Sequence, residues 1–502
     1  MCRLVTDYLD KTVNEYPDKT AFIDFKRVIT FQELKDEASA IASAIIDRNV
    51  FRKPILLFMD KSVSTVSSFI GIAYSGNFYT PVDIKMPDDR IGKILNILDP
   101  AIVITDKEHE EQARTIFAGR DIMVFEDEVS RPVLNDRITD VRSRLTDADT
   151  LYVFFTSGST GIPKGVIISH RAAVDYTDWI SDCYGFDEKT VFANQAQLYF
   201  DASIQDIYAP LRNGSTTLLI PNRLFASPVR AWKEIIRHKA NTLFWVPSVL
   251  CLFANFDVLS HVEKAPLKTV LFCGEVMPVK QLNYWIENYP DVIYANLYGP
   301  TECTDACTYY TIDRKFKDNE ALPIGKPCAN TEVYVITEEG ALADRPGVTG
   351  ELYISGKCLS DGYYNDPEKT AKAFLPNPFS SNEAELMYKT GDLVFYNEAG
   401  ELIYVCRKDY QVKIHGYRVE LGEIEAAALS VKGVDYCCCL FDQDNEKTIL
   451  VYTGEIGEDE LNDILKTKLQ DYMIPSAYKH RETMLFNNSE KIDRIALRNE
   501  YL

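Results

Sequence analysis

No stretch of the 502 residues reaches the run of about 18 apolar side chains that a membrane-crossing helix needs. Met1-Cys2-Arg3 leads into a polar segment, without the apolar block of about 7–15 residues that marks a secretory leader. Basic charge is in deficit, since 54 Lys and Arg face 75 Asp and Glu and leave a net −21. That balance argues against nucleic acid and against anionic membrane surfaces, both of which recruit basic patches. Tandem repeats and low-complexity tracts are also missing. These absences predict a soluble, cytoplasmic protein that holds any anionic ligand through local donors and a metal, not through its overall field. The length allows about two to four domains with large cores.

Paired metal-ligand cysteines are a further absence. Twelve cysteines are present, yet Cys303 and Cys307 have no matching second pair and no histidine close by. Cys437, Cys438 and Cys439 are consecutive in what reads as a strand, where neighbouring side chains point to opposite faces. Buried, reduced thiols are the expectation, in keeping with a reducing compartment.

The first half of the chain alternates in a βα manner. Residues 32–49 read as a helix with Leu34, Ala38, Ile41 and Ile45 on one stripe. Residues 54–59 and 101–105 read as strands apolar on both faces, the pattern of a parallel sheet. From about residue 340 to 405, short strand signals are punctuated by glycines at 347, 350, 356, 362, 391 and 400, which predicts a β-rich subdomain. After Arg407-Lys408-Asp409 the texture becomes a small α/β unit, with a helix over 458–469 carrying Leu461, Ile464, Leu465 and Leu469. The expected class is α/β: a large N-terminal domain, 1–408, of βα-type sheets with the β-rich subdomain, then a small mobile α+β domain, 409–502.

The most informative segment is 151–165. A buried-strand pattern, Leu151 to Phe155, empties into Thr156, Ser157, Gly158, Ser159, Thr160 and Gly161, closed by Pro163, Lys164 and Gly165. Glycines let backbone N–H groups approach an anion, hydroxyls add donors and the lysine adds a charge, so the loop is suited to phosphate. It is not a Walker A loop, which has Gly-Lys-Ser/Thr where Pro163, Lys164 and Gly165 stand.

Other motifs follow in order: Thr30-Phe-Gln-Glu-Leu34, Tyr79-Thr-Pro-Val-Asp83, Phe200-Asp-Ala-Ser203, Asn296-Leu-Tyr-Gly-Pro-Thr-Glu302, Gly350-Glu-Leu-Tyr-Ile-Ser-Gly356, Tyr388-Lys-Thr-Gly-Asp-Leu393, the run from Arg407 to Arg418, Tyr472-Met-Ile-Pro475 and Lys491-Ile-Asp-Arg494. The ordered set covers essentially the whole chain. It resembles the adenylate-forming superfamily of acyl-CoA synthetases, luciferases and peptide-synthetase adenylation domains, and within it the amino-acid-activating enzymes. Phe272-Cys-Gly-Glu-Val276, Lys389 and His415 look closest to D-alanine–carrier protein ligases. Two positions depart from the family, which usually has glycine where Cys406 and Glu490 stand.

The resemblance implies that a carboxylate attacks the α-phosphate of ATP, giving an acyl-adenylate and pyrophosphate. Such chemistry needs positioning and charge neutralisation. It implies Thr156, Ser157, Gly158, Ser159, Thr160 and Lys164 at the β- and γ-phosphates, with Gly274, Asn296 and Gly299 also around the nucleotide. Tyr298 is implied against adenine, Thr301 at the α-phosphate, Asp392 on the ribose hydroxyls with Arg407 assisting, and Glu302 on Mg²⁺, a hard oxygen ligand for a hard cation. Lys491 is implied as the catalytic cation bridging carboxylate and α-phosphate, and Asp409 as the hinge of a C-terminal domain that rotates between half-reactions. The second half-reaction passes the acyl group to a phosphopantetheine thiol. With the sequence stopping at Leu502, directly after the last motif, the carrier protein is expected in trans.

Asp201 matches the aspartate that pairs with the α-ammonium of an amino acid substrate. The side-chain positions carried over with it are Ala202, Gln205, Trp245, Leu271, Cys273, Leu297, Asp305 and Ala306. Cys273 fits the D-alanine ligase pattern, whereas Trp245, Leu297 and Asp305 do not obviously fit it. Trp245 and Leu297 take up volume and predict a small or medium substrate. Asp305 suits a hydroxyl or a second amine, or else faces solvent. The expectation is an AMP-forming amino acid ligase that loads a separate carrier. The alternatives are a D-alanine–carrier protein ligase specifically, an acyl- or aryl-CoA synthetase, and a non-catalytic adenylate-binding sensor.

Overall fold

A computed structural model of the chain describes residues 3–158, 161–318, 320–409, 411–443, 445–486 and 492–502. It divides into two compact units. The large one comprises residues 1–84, 99–154 and 166–406, and the small one residues 85–98, 155–165 and 407–502. Among the described residues, no helix is long and apolar enough to cross a membrane.

The large unit is built on three sheets. The nine-stranded sheet runs in spatial order Lys326–Pro327, Thr308–Thr311, Ile293–Tyr298, Thr269–Cys273, Thr242–Trp245, Val191–Asn194, Thr216–Leu219, Thr20–Ile23, Val28–Thr30. Its centre, from Ile293–Tyr298 to Thr20–Ile23, is parallel, and antiparallel strands flank it. The six-stranded sheet includes Pro54–Phe58 and Ile102–Thr105, both buried along their whole length, as strands covered on two faces must be. The β-rich part is a five-stranded sheet whose strands Thr331–Ile336, Gly350–Gly356 and Leu386–Tyr396 pair antiparallel.

The helix expected over 32–49 spans Phe31–Asp47, starting at a reciprocal cap in which Thr30 Oγ1 accepts from the Glu33 N–H and the Glu33 carboxylate accepts from the Thr30 N–H. Its end is set by Asn49, which takes a left-handed φ of 56° that a helix cannot continue through. The striped residues Leu34, Ala38, Ile41 and Ile45 are all fully buried.

Side-chain alternation divides the core across the nine-stranded sheet. Leu271 and Cys273 join one apolar cluster, while Val270 and Phe272 join the other. In the small unit, strands Tyr436–Asp442, Lys447–Thr453 and Ala477–His480 form one sheet and Gln411–Ile414 pairs with Tyr417–Glu420. The expected C-terminal helix spans Glu458–Lys466. The three consecutive cysteines alternate as a strand requires: Cys437 and Cys439 enter one cluster and Cys438 another. All the described cysteines are free thiols.

Candidate active site

In the large unit, Asp201 opens a short 3-10 turn, Asp201–Ser203, and accepts the Ala202 N–H at 2.9 Å. The helix Ile204–Asn213 follows directly and buries Gln205 completely. Leu271, Cys273, Leu297 and Ala306 belong to one apolar cluster, and Ala202 packs against it. These positions come from four chain segments, and strand pairing explains why they meet: Cys273 and Leu297 are direct partners across neighbouring parallel strands.

Trp245 does not join them. It is the register partner of Phe272, faces the second cluster with it, and donates its indole N–H to the Ala193 carbonyl at 2.8 Å. It packs edge-on to Phe225 on that side of the sheet.

The segment 298–306 is shaped by backbone. A Cβ on Gly299 would lie 2.3 Å from the Asp305 carbonyl oxygen, so only glycine permits this close approach. Thr304 and Asp305 both take left-handed φ values, 52° and 70°, uncommon for residues with side chains. The turn leaves Asp305 buried at 3% exposure. It does not face solvent. Its Oδ2 accepts from the Tyr176 hydroxyl at 2.5 Å.

Several residues expected at the nucleotide also lie in this unit. The Tyr298 hydroxyl donates to Asp392, which arrives from the long strand Leu386–Tyr396. Thr301 and Glu302 sit on a single 3-10 turn, Thr301–Cys303, and both are buried. Glu302 accepts from the Tyr363 hydroxyl at 2.8 Å. Gly274 follows the strand Thr269–Cys273 with φ 103°. The Asn296 amide is spent on the fold, donating to the Pro323 carbonyl at 2.8 Å. Tyr176 and Tyr363 carried no motif signal, because an aromatic residue in a helix or loop reads first as core.

The loop expected to hold phosphate, within residues 155–165, belongs to the small unit. A Cβ on Gly158 would sit 2.0 Å from the Ile162 carbonyl oxygen, so the tight turn there requires glycine. Thr156 Oγ1 is buried without a hydrogen-bond partner among the described residues, a hydroxyl of the kind a phosphate oxygen would satisfy. Ser157 Oγ donates to the Arg418 carbonyl at 2.7 Å, and Lys164 Nζ lies 3.7 Å from Glu420. Arg407 forms a two-pronged pair with Asp409, at 2.7 and 2.6 Å. Partial burial works to raise the Asp409 carboxyl, but Arg407's hydrogen bonds and charge outweigh it and hold it below the usual carboxylate range. Ser159, Thr160, Glu490 and Lys491 lie outside the described residues.

No cluster of three or more His, Cys, Asp or Glu able to hold a metal occurs among the described residues. A Mg²⁺ site of the usual kind needs only one or two carboxylates plus substrate phosphates, and the buried, hydrogen-bonded Glu302 fits that role.

Residues 9–364 match the family of AMP-binding enzymes. The chain is 30% identical over 512 residues to the D-alanine–D-alanyl carrier protein ligase of Bacillus cytotoxicus, covering 98% of this chain and 99% of that protein. It is 31% identical over 503 residues to tyrocidine synthase 3 of Brevibacillus parabrevis, covering 99% of this chain but spanning only 8% of that much longer protein. Among solved structures, the Vibrio cholerae adenylation domain AlmE in complex with glycyl-adenosine-5'-phosphate superposes with a TM-score of 0.85 at 22% identity, covering 100% of this chain and 98% of that one. The chain belongs to the AMP-binding enzyme family.

Proposed function

We propose that this protein is an ATP-dependent amino acid ligase, which forms an aminoacyl-adenylate with release of pyrophosphate and then loads the aminoacyl group onto the phosphopantetheine thiol of a separate carrier protein. The observation that carries the reading is Asp201, the carboxylate that opens the 3-10 turn Asp201–Ser203 beside Ala202, a residue packed against the apolar cluster that includes Cys273, Leu297 and Ala306. The α-ammonium group of an amino acid is a charge-assisted hydrogen-bond donor for such a carboxylate. Aryl and fatty acids have no such group. The likeness over nearly full length to a ligase named for a separate carrier protein supports the second step.

In this reading Asp392 receives the ribose hydroxyls, and Tyr298, oriented by its hydrogen bond to Asp392, lies against adenine. Thr156 and Lys164 meet the β- and γ-phosphates. Mg²⁺, when bound by Glu302 and those phosphates, neutralises the charge that would otherwise repel the incoming carboxylate. Lys491 neutralises charge at the α-phosphate as the acyl–phosphate bond forms and pyrophosphate leaves.

The test is amino-acid-dependent exchange of labelled pyrophosphate into ATP across L- and D-amino acids, followed by loading of a phosphopantetheinylated carrier. Asp201→Asn should lose at least about tenfold in kcat/KM for the amino acid, the value of one charge-assisted hydrogen bond, with ATP binding retained. ATP binding with no exchange for any amino acid would return the protein to the non-amino-acid or sensor alternatives.

A further inference from the structure

Tyr176, in the helix His170–Tyr184, is 4% exposed and belongs to none of the sequence motifs. Its hydroxyl donates to Asp305 Oδ2 at 2.5 Å and lies 3.5 Å from Gln205 Oε1. The three residues come from helix, helix and left-handed turn, 129 positions apart at the extreme. Tyr176 belongs to the same apolar cluster as Leu271, Cys273, Leu297 and Ala306, and Asp305 immediately precedes Ala306. Gln205 is fully buried, yet its Nε2 has no hydrogen-bond partner among the described residues. A buried amide donor left without an acceptor is uncommon in a folded protein and points to a ligand atom that completes it. Asp201 and Asp305 both act electrostatically on the buried phenol of Tyr152, which places the two carboxylates in one neighbourhood.

We propose that Tyr176 is a specificity-positioning residue, and that with Gln205 and Asp305 it selects an amino acid whose side chain ends in a hydrogen-bond donor head, a hydroxyl or an amine class, over one that ends in alkyl. This rests on the adenylation reading above and extends it to the substrate side chain. The donor and acceptor inventory decides the class. Tyr176 commits its proton to Asp305 and so fixes that carboxylate inward. Asp305 accepts from the substrate head, and Gln205 Nε2 offers a donor to any lone pair that the head carries. A hydroxyl satisfies both, an amine satisfies Asp305, and a methyl satisfies neither. Sites built to hydrogen-bond a substrate group reject the analogue that lacks it far more strongly than an apolar pocket can. A preference for alanine, in line with the ligase likeness, is therefore not expected.

The experiment is pyrophosphate exchange by the full chain on near-isosteric pairs in both enantiomers: serine against alanine, threonine against valine, 2,3-diaminopropionate against 2-aminobutyrate. In at least one pair the donor-bearing member should exceed its alkyl counterpart about tenfold or more in kcat/KM. Tyr176→Phe should shrink that ratio about tenfold through the amino acid KM, with the ATP KM held within about twofold, a selective change that a general loss of structure would not give. Gln205→Leu supplies a second route to the same loss of discrimination if Tyr176→Phe does not fold. Preference for the alkyl member in every pair, or an unchanged ratio in both variants, overturns the inference while leaving amino acid activation standing. Failure of exchange with every amino acid overturns the adenylation reading, and this inference with it.

Discussion

Lys164, the cation that closes the phosphate loop, lies 3.7 Å from the carboxylate of Glu420, which is itself held by the Gln411 amide at 2.7 Å. Both charged side chains are largely sheltered, at 14% and 8% exposure, so salt screens the pair less than it would a surface contact. One strand, Tyr417–Glu420, thus engages two of the loop's polar side chains, since the Arg418 carbonyl also takes the Ser157 hydroxyl. In the proposed reading, a nucleotide phosphate and Glu420 compete as anions for this one ammonium group.

The first prediction follows from that competition. Glu420→Gln preserves an acceptor for Gln411 but removes the charge facing Lys164. The ATP KM in pyrophosphate exchange should fall by up to about fivefold, the scale of an ion pair worth about 1 kcal/mol. An unchanged or higher ATP KM would show that the carboxylate does not compete with phosphate.

A second prediction concerns stability against pH. His170 is 2% exposed, and its Nδ1 accepts the Val5 N–H at 3.3 Å, so the ring is held neutral. Burial, the largest influence, depresses it from 6.5 to about 4; the Arg142 charge adds to this, while Asp149, Asp7 and Asp147 oppose it. A histidine with a depressed folded pKa binds its proton more readily in the unfolded chain. Its contribution is therefore intact above about pH 6.5 and is lost as pH falls toward about 4, amounting to about 3 kcal/mol in full. His170→Leu should flatten the pH dependence of urea-unfolding stability between those limits relative to the parent chain. Parallel stability curves for the two proteins across that window would refute it.

The sequence made the buried strands and the thiol alternation at Cys437–Cys439 legible, because each rests on local periodicity or composition. Side-chain direction at strand ends was not legible. Trp245 shares its register with Phe272 and so turns to the face opposite Leu271 and Cys273, an outcome fixed by strand pairing and invisible in the motif itself. The burial of Asp305 was equally hidden, since it depends on two successive left-handed residues and the space left by Gly299. Tyr176 and Tyr363 hold Asp305 and Glu302 from outside every motif, where long-range packing supplies the only signal. Arg407 and Asp409, expected at the ribose and at the hinge, are bound to each other, a pairing that neither motif announces.

The last prediction separates the two half-reactions. Lys491 is assigned a charge that matters while the α-phosphate is attacked, so its loss should appear in turnover more than in substrate binding. Thiol attack on a finished adenylate develops its charge elsewhere, so this lysine is not expected to matter there. Lys491→Ala should therefore lose pyrophosphate exchange by about a hundredfold or more, the scale seen when one preorganised electrostatic donor is removed, yet still pass a chemically supplied aminoacyl-adenylate to the carrier. Glu490 adds a control, because a carboxylate stands beside the lysine where relatives of this type usually have glycine. If Glu490 restrains Lys491 by pairing with it, Glu490→Gly raises exchange and leaves the transfer step as it was. Normal exchange by Lys491→Ala would remove the catalytic assignment, and equal loss of both half-reactions would show that one arrangement of the chain serves both.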